Sequence, residues 1–176
     1  SRRRLLPMPF LLILFSLLLA QGAPADPSRE LRLRVLEEIN RDRKAAGVQP
    51  VAYSEELSLA ADAHCREMLR ESYASHWNLA GWKPYMRYAL AGIRDFTAEN
   101  VWSLWHSNLD TSPASVWREL LAGHHSFMSE RPPYDGHRQS ILSPRHTHVG
   151  IGVAFDRLGV RLIEVFGARY AALKPL

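Results

Sequence analysis

His148-Val149-Gly150-Ile151-Gly152-Val153-Ala154-Phe155 alternates with a period of two. That period puts Val149, Ile151, Val153 and Phe155 on one side of an extended chain and small residues on the other. Residues 156–159 turn the chain, and 160–170 answer as a second strand, apolar on both sides over 163–166. The two make a terminal antiparallel hairpin. A lone hairpin is marginal in water, so these apolar faces need other elements packed on them.

The elements upstream read as helices. Asp26-Pro27-Ser28 is a start signal, a capping side chain followed by a residue whose missing N–H does no harm. Leu33, Leu36, Ile39, Arg43 and Ala46 recur at helical spacing, and Gly47 ends the run. Residues 48–53 form a short extended link. Ser54 caps a second helix with Glu55 and Glu56 in its first turn and Leu57, Ala61, His64 and Met68 on its inner face. Lys83-Pro84 opens a short helix closed by Gly92, and 96–103 reads as a strand. Ser112-Pro113 repeats the cap-then-Pro signal ahead of Val116, Trp117, Leu120 and Leu121, and 129–137 reads as a loop. Helices followed by a hairpin predict an α+β fold, a small sheet covered by helices.

The chain has 176 residues, 47% hydrophobic and 23% charged, with one Cys. This is globular composition, and it excludes a disulfide-stapled or mostly disordered chain. The formal charge of +4 belongs mainly to the start: residues 1–25 hold three Arg and no acid, which leaves 19 basic and 18 acidic side chains. No basic stripe with interleaved aromatics exists, so nucleic acid is not the expected partner. Arg2, Arg3 and Arg4 precede an apolar stretch over 10–20 and small residues at 20, 22, 23 and 25. That is the pattern of a signal peptide over 1–25, with an uncleaved anchor as the alternative. The domain is then 26–176, secreted or periplasmic, with no membrane partner after cleavage. Its single thiol, Cys65, forms no internal disulfide and reads as a small buried hydrophobe.

Several segments together resemble the CAP superfamily of cysteine-rich secretory, antigen 5 and pathogenesis-related 1 proteins, in its cysteine-poor bacterial branch. They are Ile39-Asn40-Arg41-Asp42-Arg43 with Gly47, Val51 and Leu57; Ser75-His76-Trp77; Thr97-Ala98-Glu99-Asn100-Val101; Gly136-His137-Arg138-Gln139-Ser140-Ile141-Leu142; and Thr147-His148-Val149-Gly150-Ile151-Gly152-Val153. The resemblance covers roughly 33–170. It implies an α-β-α sandwich with a three-stranded antiparallel sheet between helices, and a cleft of two His and two acids. By position these are His76, His137 and Glu99. The fourth is either Glu119, two residues past Trp117, or Glu130, with Glu119 preferred.

Two neutral imidazoles, His76 and His137, are the expected ligands for Zn²⁺ or another divalent metal, with a carboxylate as third ligand or as an orienting group. Fewer than four protein ligands would leave a place for water, whose pKa the metal lowers. Without metal, the same groups make a His–carboxylate pair for general base work, or a network that only holds the loops. The gaps of 23 and 38 residues between His76, Glu99 and His137 carry no metal signature of their own. The expected function is a secreted CAP-type domain whose cleft binds a divalent metal, a small amphipathic or lipid-like ligand, or both. The alternatives are a metal-assisted hydrolase of envelope polymer or peptide, and a non-catalytic interaction module.

The other His residues divide. His124 and His125 point about 100° apart on a helix, which disfavours a shared metal. His146 and His148 fall on one face if extended, as a metal pair or, by preference, as hydrogen-bonded residues at a strand edge. His64 reads as a satisfied core imidazole. Trp77, Trp82, Tyr85, Trp102 and Trp105 would line an apolar groove or pack the core, with packing expected for at least three.

Overall fold

The computed structural model describes residues 26–168. The expected leader over 1–25 and Tyr170 lie outside the described residues. Helix α1 (Pro27–Ala45) begins where Asp26 accepts the Ser28 N–H at 3.0 Å, and the chain leaves it through Gly47 at a φ of 73°. Strand β1 (Ala52–Tyr53) is followed by α2 (Glu55–Arg70), whose Leu57 N–H is taken by the Ser54 hydroxyl. Next come α3 (Pro84–Leu90), β2 (Phe96–Trp105), α4 (Pro113–Met128) capped by Ser112, α5 (Gly136–Leu142), β3 (His148–Asp156) and β4 (Gly159–Ala168). The loop expected over 129–137 therefore ends two residues early, because Gly136 and His137 already belong to a two-turn helix.

The sheet has four strands in the order β1-β3-β4-β2, not the three expected. The hairpin and β2 are antiparallel, and the additional strand is the two-residue β1, parallel to β3. Because β1 is so short, the β3 edge beyond it needs other acceptors. Helix α2 supplies them: Ser58 Oγ takes the Ile151 N–H at 2.9 Å and Asp62 Oδ1 takes the Val153 N–H at 2.7 Å. Arg32 of α1 bonds the other Asp62 oxygen. Ser58→Ala strands a buried N–H and should cost about 2 kcal/mol. Urea unfolding checks this, and an unchanged midpoint would show that Ile151 finds another partner.

The period of two sorts the core into two layers. Val149, Ile151 and Val153 of β3, with Val160, Leu162 and Phe166 of β4, pack against Leu31, Val35 and Ile39 of α1 and Val116, Leu120 and Phe127 of α4. On the opposite face, Ile163 and Val165 pack with Leu57, Ala61, Cys65 and Met68 of α2 and Tyr88 of α3. Helices on both faces of the sheet make this an α-β-α sandwich. Gly150 and Gly152 face α2 directly. A Cβ on Gly152 would lie 2.5 Å from the Ala61 carbonyl carbon.

Arg43, on the inner face of α1, is fully buried and has no carboxylate partner among the described residues. Its guanidinium instead donates to the carbonyls of Gln49, Ile141, Ser143 and His146. These bonds fasten the end of α5 and the approach to β3 onto α1.

Candidate functional site

His76 sits in the connection between α2 and α3. Just before it, buried His64 of α2 bonds the Ser75 carbonyl through Nε2 at 2.9 Å. A carbonyl only accepts, so Nε2 carries the proton. Burial, opposed by smaller hydrogen-bond and carboxylate effects, holds the His64 pKa below its ordinary value, so the ring stays neutral. His64 thereby serves as the satisfied core residue expected at one nitrogen only; among the described residues Nδ1 has no hydrogen-bond partner, and Glu67 Oε2 lies 3.5 Å from it.

His76 Nδ1 meets Glu99 Oε1 at 3.0 Å. Glu99 comes from β2 on the face covered by α2 and α3, and its side chain is 1% exposed. Arg87 Nη2 donates to its two oxygens at 2.9 and 2.8 Å, and the Tyr88 hydroxyl donates at 2.5 Å. Burial works to raise the Glu99 pKa, but the bonds from His76, Arg87 and Tyr88 outweigh it and hold the carboxyl below its usual range. The ionised carboxylate takes Nδ1–H, which leaves Nε2 of a neutral His76 with its lone pair free. The His76 side chain is 45% exposed.

His137 is placed by a different device. Asp135 makes no side-chain cap to α5; Glu130 accepts the His137 N–H at 3.0 Å in its place. The same carboxylate meets His137 Nδ1 at 2.5 Å. Burial works against the charged form of Glu130, but bonding to His137 prevails and its pKa is lowered. Phe127 lies against the imidazole with centroids 4.7 Å apart, and the His137 side chain stays 36% exposed. The acid bonded to His137 is thus Glu130. Glu119, the preferred candidate, is half-buried on α4 and forms no hydrogen bond or ion pair among the described residues. Spacing after Trp117 pointed to Glu119, whereas the pairing depends on the path of 129–136, which no helical period encodes.

The two pairs share one strand. Asn100 follows Glu99 on β2 and points to the opposite face. Its Nδ2 donates to the His137 carbonyl at 3.1 Å. The His76 imidazole is thus tied to one face of β2 and the His137 backbone carbonyl to the other, and β2 lies at an edge of the sheet. Among the described residues, no group of three or more His, Cys, Asp or Glu side chains is placed to hold a metal ion.

The remaining candidates lie elsewhere. His124 is buried with Nδ1 on Glu164 at 2.7 Å and Nε2 on Asp42 at 3.0 Å, while His125 is exposed. The Glu164 carboxylate also takes Asn100 Nδ2 at 3.4 Å, so this buried network reaches the backbone of His137. The sequence reading missed it; Glu164 amid the apolar run 163–166 was its one visible signal. His146 stacks on Phe166 and bonds the Ser140 carbonyl, while His148 bonds Asp95 at 2.8 Å and Thr147 at 2.9 Å. They do not form a metal pair. A hollow of about 590 Å³ beside His148, Asp95 and the start of α2 includes neither His76 nor His137 in its lining. Cys65 is buried, and its thiol pKa is pushed up by that burial. Of the five aromatics, only Trp102 packs on the core; Trp77, Trp82, Tyr85 and Trp105 are exposed, against the expectation that most would pack. Trp77, Tyr85 and Trp82 all belong to the segment that follows His76.

A protein-family model described as CAP, the cysteine-rich secretory protein family, matches residues 36–166. The chain is 28% identical over 120 residues to the uncharacterized protein YkwD of Bacillus subtilis, covering 68% of this chain and 40% of that protein. Among solved structures, an extracellular SCP-domain protein of Bacillus anthracis superimposes with a TM-score of 0.62 at 15% identity, over 84% of this chain and 45% of that one. The chain thus spans less than half the length of these two relatives. An outer surface protein of Borrelia burgdorferi gives 0.64 at 16% identity, over 85% and 99% of the two chains. NaASP2 with Zn²⁺ gives 0.59 at 15%, over 84% and 85%. These structures show the shared fold, and no described helix here is long and apolar enough to cross a membrane. With the family model spanning the sandwich from α1 to β4, the chain belongs to the CAP, or cysteine-rich secretory protein, family.

Proposed function

We propose that this protein is an extracellular binding domain, secreted or periplasmic, that works through His76 and His137. One observation supports this above the rest: both imidazoles are oriented through Nδ1 by a carboxylate, and both remain substantially exposed. A carboxylate behind an imidazole fixes its tautomer and raises the basicity of the outward nitrogen, which is the usual support for a metal-ligating His. His76 and His137 would hold a divalent ion such as Zn²⁺, and water would fill the other positions. When bound, the ion would supply Lewis acidity and an acidified water. Glu99 and Glu130 are already engaged with Nδ1 and serve as orienting groups. The neighbour NaASP2, with its Zn²⁺, is consistent with this reading.

A second ligand class is favoured by the surface after His76. Trp77, Leu79, Tyr85, Met86 and Leu90 are exposed within one segment. Such a patch suits the apolar part of a small amphipathic molecule whose polar end reaches the imidazoles.

Calorimetric titration of Zn²⁺ tests the metal reading. The wild type should bind one ion weakly, as expected for two protein ligands, and His76→Ala/His137→Ala should weaken binding more than about tenfold. Equal binding by the two proteins would overturn it.

A further inference from the structure

Strand β2 lies at an edge of the sheet, and one bond fixes which of its main-chain groups point outward. The register sets Trp105 opposite Gly159, and the next residue, His106, bonds the Leu158 carbonyl through its N–H at 2.8 Å. In an antiparallel pair, alternate residues exchange main-chain bonds with the partner strand. Phe96, Ala98, Asn100, Trp102 and Leu104 therefore bond β4, while Thr97, Glu99, Val101, Ser103 and Trp105 turn their N–H and C=O groups away from it. Among the described residues, none of these outward groups has a hydrogen-bond partner.

Solvent reaches this edge. Glu99 is half-buried as a residue although its side chain is 1% exposed, so its accessible surface lies on the main chain. Asn100, whose main chain faces β4, is 1% exposed as a whole. Open edges in native sheets are usually guarded by Pro, Lys, a bulge or short length. Strand β2 has ten residues, with no Pro, Lys or Arg, and its register is unbroken over all ten pairs. Its single charge, Glu99, is drawn inward by Arg87 and Tyr88 of α3. That contact sets α3 beside one face of β2, and the Asn100–His137 bond sets the start of α5 beside the other. A bare strand would meet the edge without helices of its own. A second copy would have to fit its α3 and α5 beside these.

We propose that the outer edge of β2 binds an extended segment of another polypeptide as a fifth strand of the sheet. The main chain of that segment supplies the partners that Thr97, Glu99, Val101 and Ser103 lack, so recognition is of backbone first and tolerates many sequences. Its successive side chains alternate between the face that carries His76 and the face that carries the start of α5. The inference deepens the binding-domain reading and rests on it only for setting the imidazoles beside the ligand; it needs no metal.

The test reads amide hydrogen exchange by NMR on the metal-free protein. In the free protein, the amides of Thr97, Glu99, Val101 and Ser103 should exchange at least about tenfold faster than those of Ala98, Asn100, Trp102 and Leu104. Random ten-residue peptides displayed on phage are then selected on the protein, and the selected peptides are synthesised. At saturation they should slow the outward amides about tenfold. N-methylation of alternate peptide residues should abolish binding in one parity and spare it in the other. Ser103→Pro removes an outward N–H and leaves the bonds to β4 in place; it should weaken binding about tenfold with the wild-type circular dichroism. If that variant does not fold, the methylated peptides decide. Outward amides already protected in the free protein overturn the proposal: the chain itself covers the edge or, where protection grows with concentration, a second copy does. Selection of no peptide, peptide binding that leaves the outward amides unchanged, or tolerance of N-methylation in both parities does the same. So does undiminished binding by a folded Ser103→Pro protein. Zn²⁺ titration is read separately, so failure here leaves the metal reading standing.

Discussion

Gly152→Ala and Gly150→Ala are each expected to destabilise the protein by about 3 kcal/mol, at the upper end of the range for overpacking a core. A Cβ at 152 would meet the Ala61 carbonyl carbon at 2.5 Å and oxygen at 2.7 Å. One at 150 would meet the Leu57 carbonyl carbon at 2.5 Å and the Ser58 nitrogen at 2.6 Å. These are backbone atoms of α2, so no rotamer change relieves the contact. Helix and strand must separate, and that would also strain the bonds from Ser58 and Asp62 to β3. Replacing a strand glycine by alanine ordinarily stabilises through lost chain entropy, by roughly 0.5–1 kcal/mol; here the collision dominates. A loss of about 3 kcal/mol corresponds to a melting temperature roughly 10 °C lower. Gly136→Ala is the control, since a Cβ there meets nothing within 4 Å and should leave stability nearly unchanged. A Gly152→Ala protein as stable as this control would show that α2 does not rest on the sheet as described.

His124 should give the second large effect, and one that depends on pH. Burial works to lower its pKa, but Glu164 and then Asp42 overcome this and raise it to about 9. Below the ordinary value of about 6.5 the stabilisation from this imidazolium is fully present. It declines as pH rises from there and is lost above about 9. The shift corresponds to about 3 kcal/mol. His64 and His146 act in the opposite sense, since burial lowers their pKa values and their contribution fades as pH falls below 6.5. The useful quantity is therefore the difference between wild type and His124→Asn. At about pH 6 the substitution should cost about 3–5 kcal/mol, because Glu164, fully buried, keeps only Asn100 at 3.4 Å. By about pH 10 the difference should shrink to about 1 kcal/mol. Parallel stability curves for the two proteins would show that His124 does not hold its proton in the fold. Because Asn100 joins this network to the His137 carbonyl, the loss of His124 should also loosen the start of α5.

The period of two over 148–155 was enough to specify the hairpin and which of its faces holds valine and isoleucine. Capping chemistry at Asp26, Ser54 and Ser112 located three helix starts, because each cap depends only on residues two or three positions away. The short motifs containing His76, Glu99 and His137 marked the residues that the structure presents on either face of β2. What stayed hidden depends on partners distant in the chain. Strand β1 is two residues long and exists only because β3 lies beside it. Glu130, rather than Glu119, reaches His137 because of where the irregular segment before α5 runs. His124 and Glu164 are 40 residues apart, and no local pattern announces their bond. Local propensity and periodicity are written within a few residues and can be read there. The assembly of charges around a site is decided by the packing of helices on a sheet, which brings together groups that the sequence keeps apart.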